Sequence, residues 1–194
     1  ASATVLFSDD FDSYSLGNLA SQGGWTCAGY ACNPQISNTQ SYSSPNSLTT
    51  ASGTLTEKAV HTFTPSDTGY AQARVYVNTI TSNGAGMGNI AIRSSPGSHD
   101  TSITALRNGR ANFYTGSCDI TNGGLSVDGI LDVGWNTLSI SWKQEAGVTN
   151  VKYIVNEYKS DWIVCDTSLA IDRIHVGSQN KGIFSEIGFI DDVL

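Results

Sequence analysis

The sequence predicts an all-β chain folded as two packed antiparallel sheets. Three observations lead there. Apolar residues at helical spacing are nowhere sustained over the ten or so positions a core helix needs, whereas alternation of period two recurs along the whole chain. The alternating runs are separated by Gly, Asn and Asp turn signals at intervals of roughly 10 to 15 residues, the spacing of an antiparallel sandwich. Of the 194 residues, 39% are apolar and only 14% charged, and 20 are glycine, so the chain has both a core to bury and the residues to turn many times. The pattern gives about twelve strands, and a single sheet of that size curls or splits, so two layers are expected.

The elements follow in order. In Gly69-Tyr70-Ala71-Gln72-Ala73-Arg74-Val75-Tyr76-Val77, Ala71, Ala73, Val75 and Val77 fall on one strand face, and Tyr70, Gln72, Arg74 and Tyr76 on the other. The same alternation returns in Asn89 to Arg93, Asn136 to Trp142, Val151 to Val155 and Asp172 to Val176. Between them lie Ser82-Asn83-Gly84, Ser95-Pro96-Gly97, Asn108-Gly109, Asn122-Gly123-Gly124, Asp128-Gly129 and Glu145-Ala146-Gly147, all turn formers. No internal repeat, linker or low-complexity block interrupts residues 1–194, so one domain is expected. The chain opens Ala1-Ser2-Ala3 without Met, which reads as a terminus processed or excised from a larger protein.

Lys plus Arg total 10 against 17 Asp plus Glu, a net charge of −7 with no basic stretch, which argues against nucleic acid as a partner. The longest apolar runs are about four or five residues, too short for a membrane-spanning helix. Four cysteines, Cys27, Cys32, Cys118 and Cys165, stand in a chain poor in Lys and rich in Ser, Thr and Asn. A zinc site needs paired ligands such as Cys-x-x-Cys, and here Cys118 and Cys165 stand alone. Two disulfides and export are the preferred reading over four buried thiols. Cys27 with Cys32 and Cys118 with Cys165 is the economical pairing; the other two pairings stay open.

Several segments are familiar in order as well as in kind. Phe7-Ser8-Asp9-Asp10-Phe11-Asp12-Ser13-Tyr14, then Leu16-Gly17-Asn18-Leu19 and Gln22-Gly23-Gly24-Trp25, resemble the start of concanavalin A-like, laminin-G-like jelly-roll domains of secreted proteins. Gly134 to Leu138 before a hairpin, Val151 to Asn156, Ile171 to Ser178 and Phe189 to Val193 extend the resemblance across nearly the whole chain. It implies a jelly-roll sandwich with neighbouring first and last strands. It leaves function open among carbohydrate-binding modules, lectins, glycoside hydrolases, polysaccharide lyases and adhesion domains.

A glycosidase needs two carboxyl groups across the sugar, which the glucanases of this fold carry as Glu-x-Asp-x-Glu on a strand. The glutamates Glu57, Glu145, Glu157 and Glu186 form no such motif, and Glu186 and Asp191 fall on opposite sides of a regular strand. Lyases on this scaffold use a neutralising Arg, Gln or Asn with a His or Tyr as base and acid. Arg74, Tyr76, Arg93, Arg173, His175, His61 and Tyr70 supply those types without the linear Gln-x-His motif. No Gly-x-Ser-x-Gly or triad pattern is present. If the terminal strands pair, Asp9, Asp10 and Asp12 approach Asp191 and Asp192, and crowded carboxylates favour a cation. A structural calcium is therefore expected on Asp10, Asp12 and Asp191, with Asp9 and Asp192 in reserve. Against it stands the alternative of solvated edge residues, with Asp10 accepting backbone hydrogen bonds in a turn.

A polysaccharide or other glycan is the expected partner. Proteins bind neutral glycans by stacking aromatic rings on sugar faces and aiming amide, hydroxyl and guanidinium donors at hydroxyls. Tyr70, Gln72, Arg74 and Tyr76 form the best candidate stripe, Asn89 and Arg93 are expected beside it on the same sheet, and Trp162 is a candidate platform. Trp25, Trp135 and Trp142 are expected to fill the core or cover its ends. The favoured reading is a non-catalytic, lectin-like module, monomeric or part of a multidomain chain. The alternatives are an adhesion domain without glycan affinity and a lyase using Arg with Tyr or His.

Overall fold

A computed structural model describes residues 5–28, 34–43, 45–50, 57–82, 84–94, 100–115, 125–165, 168–178 and 188–194. Sixteen strands form among the described residues. In chain order they are β1 (Gly17–Asn18), β2 (Thr26–Ala28), β3 (Gln35–Ser37), β4 (Ser47–Thr50), β5 (Glu57–Ser66), β6 (Thr68–Val77), β7 (Gly86–Ser94) and β8 (Asp100–Leu106). There follow β9 (Ala111–Tyr114), β10 (Leu125–Val127), β11 (Gly134–Glu145), β12 (Val148–Val155), β13 (Tyr158–Lys159), β14 (Ile163–Val164), β15 (Ile171–Ser178) and β16 (Gly188–Asp191).

They form two antiparallel sheets. The nine-stranded sheet runs β1-β3-β4-β16-β6-β11-β12-β13, with β14 also on β12; the seven-stranded sheet runs β10-β9-β8-β7-β15-β5-β2. Each of the five alternating runs of the sequence lies within one strand, β6, β7, β11, β12 or β15. The chain crosses repeatedly between layers, so both sheets are built from distant segments and the sandwich is a jelly roll. No described helix is long and apolar enough to cross a membrane.

The inner faces match the alternation. Ala71, Ala73, Val75 and Val77 on β6 are at most 3% exposed, and Ala71, Ala73 and Val75 share a core with Ile90, Ile92, Ile103, Ile174 and Val176 of the other sheet. Each such Ile or Val contributes about 1.5–3 kcal/mol of burial. The small residues of β6 let the layers approach closely. A Cβ on Gly88 of β7 would come within 2.6 Å of Val75 Cγ1, so glycine is required there by the spacing of the sheets. Trp25 and Trp142 fill the core as expected, with Trp142 Nε1 donating to the Ser66 carbonyl at 3.1 Å.

First and last segments do pair. Asp9 and Val193 exchange backbone hydrogen bonds at 2.8 Å each, and Gln72 and Leu194 continue the pairing onto β6 at 2.7 and 2.9 Å. Cys27 and Cys165 are each in disulfide form, and no described cysteine is free. Cys32, Cys118, Glu186 and the turn signals at 95–97 and 122–124 lie outside the described residues.

Candidate functional site

The polar face of β6 is the outer face of the nine-stranded sheet, and register builds a platform on it. Tyr70 lies opposite Ser141 of β11, Gln72 opposite Ser139, Arg74 opposite Thr137 and Tyr76 opposite Trp135; on the other side Asp191 adjoins Arg74 and Phe189 adjoins Tyr76. Tyr70 is 43% exposed, and its hydroxyl sits 2.8 Å from both Gln72 Oε1 and Ser139 Oγ. Arg74 donates to Thr137 Oγ1, and its guanidinium lies 4.5 Å from the centre of the Tyr42 ring. Trp135 packs edge-on against Tyr42 and Tyr76, at 5.8 and 5.3 Å between ring centres. Side chains that brace one another this way lose little further rotamer entropy when a ligand lands on them.

Trp135 therefore departs from its expected place in the core or over its ends: it is half-buried on the outer face. The signal was in the sequence, since Trp135, Thr137, Ser139 and Ser141 alternate with inward-facing Asn136, Leu138, Ile140 and Trp142, although Ser139 is itself covered on the outer face. Tyr42 had no such signal, because it sits in a loop held from far away. Asp191, 0% exposed, accepts the backbone N–H groups of Tyr42 at 2.8 Å and Ser43 at 3.2 Å on Oδ2, and that of Asp192 at 2.9 Å on Oδ1. Burial pushes the Asp191 carboxyl up to about 6. Trp162 joins the same outer face further along, 40% exposed, with Lys143 and Lys152 beside its ring.

Asn89 and Arg93 do not join this platform. They belong to β7, which is in the seven-stranded sheet, and they point away from the core on the opposite side of the sandwich. Alternation fixes which residues share a face; it does not fix which sheet a strand enters. Around them, Asn89 is flanked by Gly177 and Thr104, Ala91 by His175 and Ser102, and Arg93 by Arg173. Beyond Gly177 lies Lys58, and beyond Ser102 lies Tyr114, whose side chain is 49% exposed. Asn89, Ser102 and His175 are 0%, 1% and 3% exposed although they face outward. Asn89 donates through Nδ2 to the Ile103 carbonyl at 3.0 Å and Thr104 Oγ1 at 2.9 Å, and its buried Oδ1 has no donor. Arg173 is held in plane by two bonds to Asp172 at 2.8 and 3.1 Å.

The expected calcium ligands are not gathered. Asp10 Oδ1 accepts the Asp12 N–H at 3.1 Å, Asp12 Oδ1 accepts that of Asn46 at 2.9 Å, and Asp191 is spent on the 42–43 loop. In reserve, Asp9 accepts from Phe11 N–H, Tyr14 Oη and Trp25 Nε1, and Asp192 from Ser43 Oγ at 2.8 Å. No group of three or more metal-ligating side chains forms among the described residues. The termini meet, and each carboxylate accepts hydrogen bonds from local N–H or O–H donors, which relieve the crowding. Burial and the bond to Asp9 push the Tyr14 hydroxyl up, and burial pushes nearby His61, stacked on Phe7 at 3.8 Å, down.

No family model matches the chain, and no curated protein matches it in sequence. Solved structures do match in shape. An endo-1,3-β-glucanase from Streptomyces sioyaensis aligns with a TM-score of 0.61 at 13% identity, covering 100% of this chain and 96% of that one. An alginate lyase, vAL-1, from a Chlorella virus gives 0.59 at 10% identity over 88% and 92%. Lectin I-B4 of Griffonia simplicifolia gives 0.54 at 10% over 98% of each. The fold is thus a concanavalin A-like jelly-roll sandwich, shared by proteins whose names describe both cutting and binding carbohydrate.

Proposed function

We propose that this chain is a carbohydrate-binding module that holds a glycan on the outer face of its nine-stranded sheet. One observation carries the reading: Tyr42, Trp135, Tyr76 and Tyr70 share that face with Gln72, Arg74, Thr137 and Ser139, rings beside hydrogen-bonding groups along two adjacent strands. Rings cover the apolar faces of sugars, and the amide, guanidinium and hydroxyls meet their hydroxyl groups. Tyr70 and Tyr76 stand six positions apart on β6, roughly 20 Å at strand rise, which suits an extended chain of several sugars. Export with Cys27–Cys32 and Cys118–Cys165 disulfides belongs to the same reading, supported by the bonded state of Cys27 and Cys165.

The test is affinity electrophoresis through gels containing soluble polysaccharides. Wild type is expected to be retarded by at least one neutral polymer. Tyr70→Ala and Trp135→Ala should each weaken binding about fivefold, the worth of one ring contact of about 1 kcal/mol. Absence of retardation across neutral and acidic polymers would sink the reading.

A second reading, a polysaccharide lyase, is favoured by the gathering of Asn89, Arg93, Arg173, His175 and Tyr114 on the outer face of the seven-stranded sheet. In it, Arg93 neutralises a uronate carboxylate, and His175 or Tyr114 takes the C5 proton. The released electron pair forms the C4=C5 bond, the C4–O bond breaks, and the departing oxygen takes up a proton. Ultraviolet absorbance of the unsaturated product from uronate polymers tests it, and no signal at any pH removes it.

A further inference from the structure

Trp162 precedes β14 on the outer face of the nine-stranded sheet and is 40% exposed. Two ammonium groups attend its ring: Lys143 Nζ is 4.6 Å and Lys152 Nζ 5.9 Å from the ring centre. Register explains the meeting. Lys143 faces Asn150 across β11 and β12, Lys152 faces Ser141, and Lys159 faces Ile154, so three lysines project from one corner of a chain whose net charge is −7. Lys143 also binds Glu145 Oε1 at 2.7 Å, whereas Lys152 has no carboxylate partner among the described residues, so the corner keeps an ammonium that is not neutralised.

We propose that this corner binds a carboxylate-bearing sugar, a uronic acid residue of an acidic glycan, with the pyranose on Trp162 and the carboxylate between Lys143 and Lys152. A neutral sugar stacking here must displace ammonium groups that already interact with the indole and offers them nothing in return. An acidic sugar covers the ring and pairs with the displaced ammoniums, which swing on flexible four-carbon stems. The negative charge of the rest of the molecule disfavours polyanions elsewhere, so the positive corner also sets where an acidic chain lands. The inference rests on the nine-stranded face being a glycan platform, and it names the sugar class taken at one end.

The experiment compares soluble cellulose, β-1,3-glucan and mannan with their 6-carboxylated derivatives, by affinity electrophoresis at low and raised salt. Wild type should bind a carboxylated polymer more tightly than its neutral parent, with the preference fading as salt rises. The double variant Lys143→Ala, Lys152→Ala should lose about tenfold on the carboxylated polymer and stay within about twofold on the neutral one, which also reports that it is folded. Equal binding of both forms by wild type, or a preference untouched by the double variant, overturns the inference while leaving the platform intact. No binding to either form overturns both.

Discussion

At the scale of the residue, Asp191 ties the platform to the core. It is fully buried, lies beside Arg74 in register, and holds the loop whose Tyr42 covers the Arg74 guanidinium. Burial raises its pKa to about 6 from an ordinary 3.8, so the folded chain holds this proton more tightly than the unfolded one. For an acid with a raised folded value, the stability it contributes is complete below the unfolded pKa and is lost as pH rises through the folded one. Asp191→Asn retains a carbonyl acceptor and cannot titrate, although its amide meets N–H donors and lowers stability by a constant amount. The stability of wild type relative to Asp191→Asn is expected to fall by on the order of 2 kcal/mol between about pH 4 and pH 6.5. Urea unfolding at stepped pH measures it, and a pH-independent difference would show that Asp191 does not titrate in that window.

At the scale of the element, the β11–β12 hairpin presents Trp135, Thr137 and Ser139 together with Lys143 and Lys152 of the Trp162 corner. Its strands pair from Leu138 with Val155 to Glu145 with Val148. Two residues close it, Ala146 at φ 53° and Gly147 at φ 79°, the left-handed pair of a turn that follows the twist of its strands. Glycine takes this conformation freely, but alanine carries a Cβ penalty of about 1 kcal/mol. Ala146→Asn, exposed and touching nothing in the core, should therefore raise stability by about 0.5–1 kcal/mol in chemical denaturation and leave glycan binding unchanged. A loss of stability would mean that the turn is held by contacts other than its own backbone preference.

At the scale of the whole molecule, the two chain ends close the sandwich through Asp9, Val193, Gln72 and Leu194, and the acids that meet there are satisfied by N–H and O–H donors. Thermal melting should accordingly be the same in calcium and in chelator, because only a ligand bound to the native state shifts the midpoint. A rise of several degrees in calcium would show that these carboxylates rearrange around an ion.

The fold class was legible in the residues themselves. Period-two alternation in β6, β7, β11, β12 and β15 fixes which side chains face inward, because adjacent side chains on a strand must point to opposite faces. Glycine and asparagine at the turns fix where the chain reverses. The partner of each strand was not legible, since hydrogen bonding between backbones is nearly indifferent to side-chain identity and depends on how distant segments pack. That is why Asn89 and Arg93 went to the far sheet, why Trp135 left the core for the platform, and why Asp12 came to accept the Asn46 N–H. By itself the sequence determined an acidic all-β sandwich with a ring-bearing polar stripe at Tyr70 to Tyr76. Only the tertiary structure brought Tyr42 and Trp135 to that stripe and Lys143 and Lys152 to Trp162, because those meetings depend on strand register and on loops anchored from the opposite end of the chain.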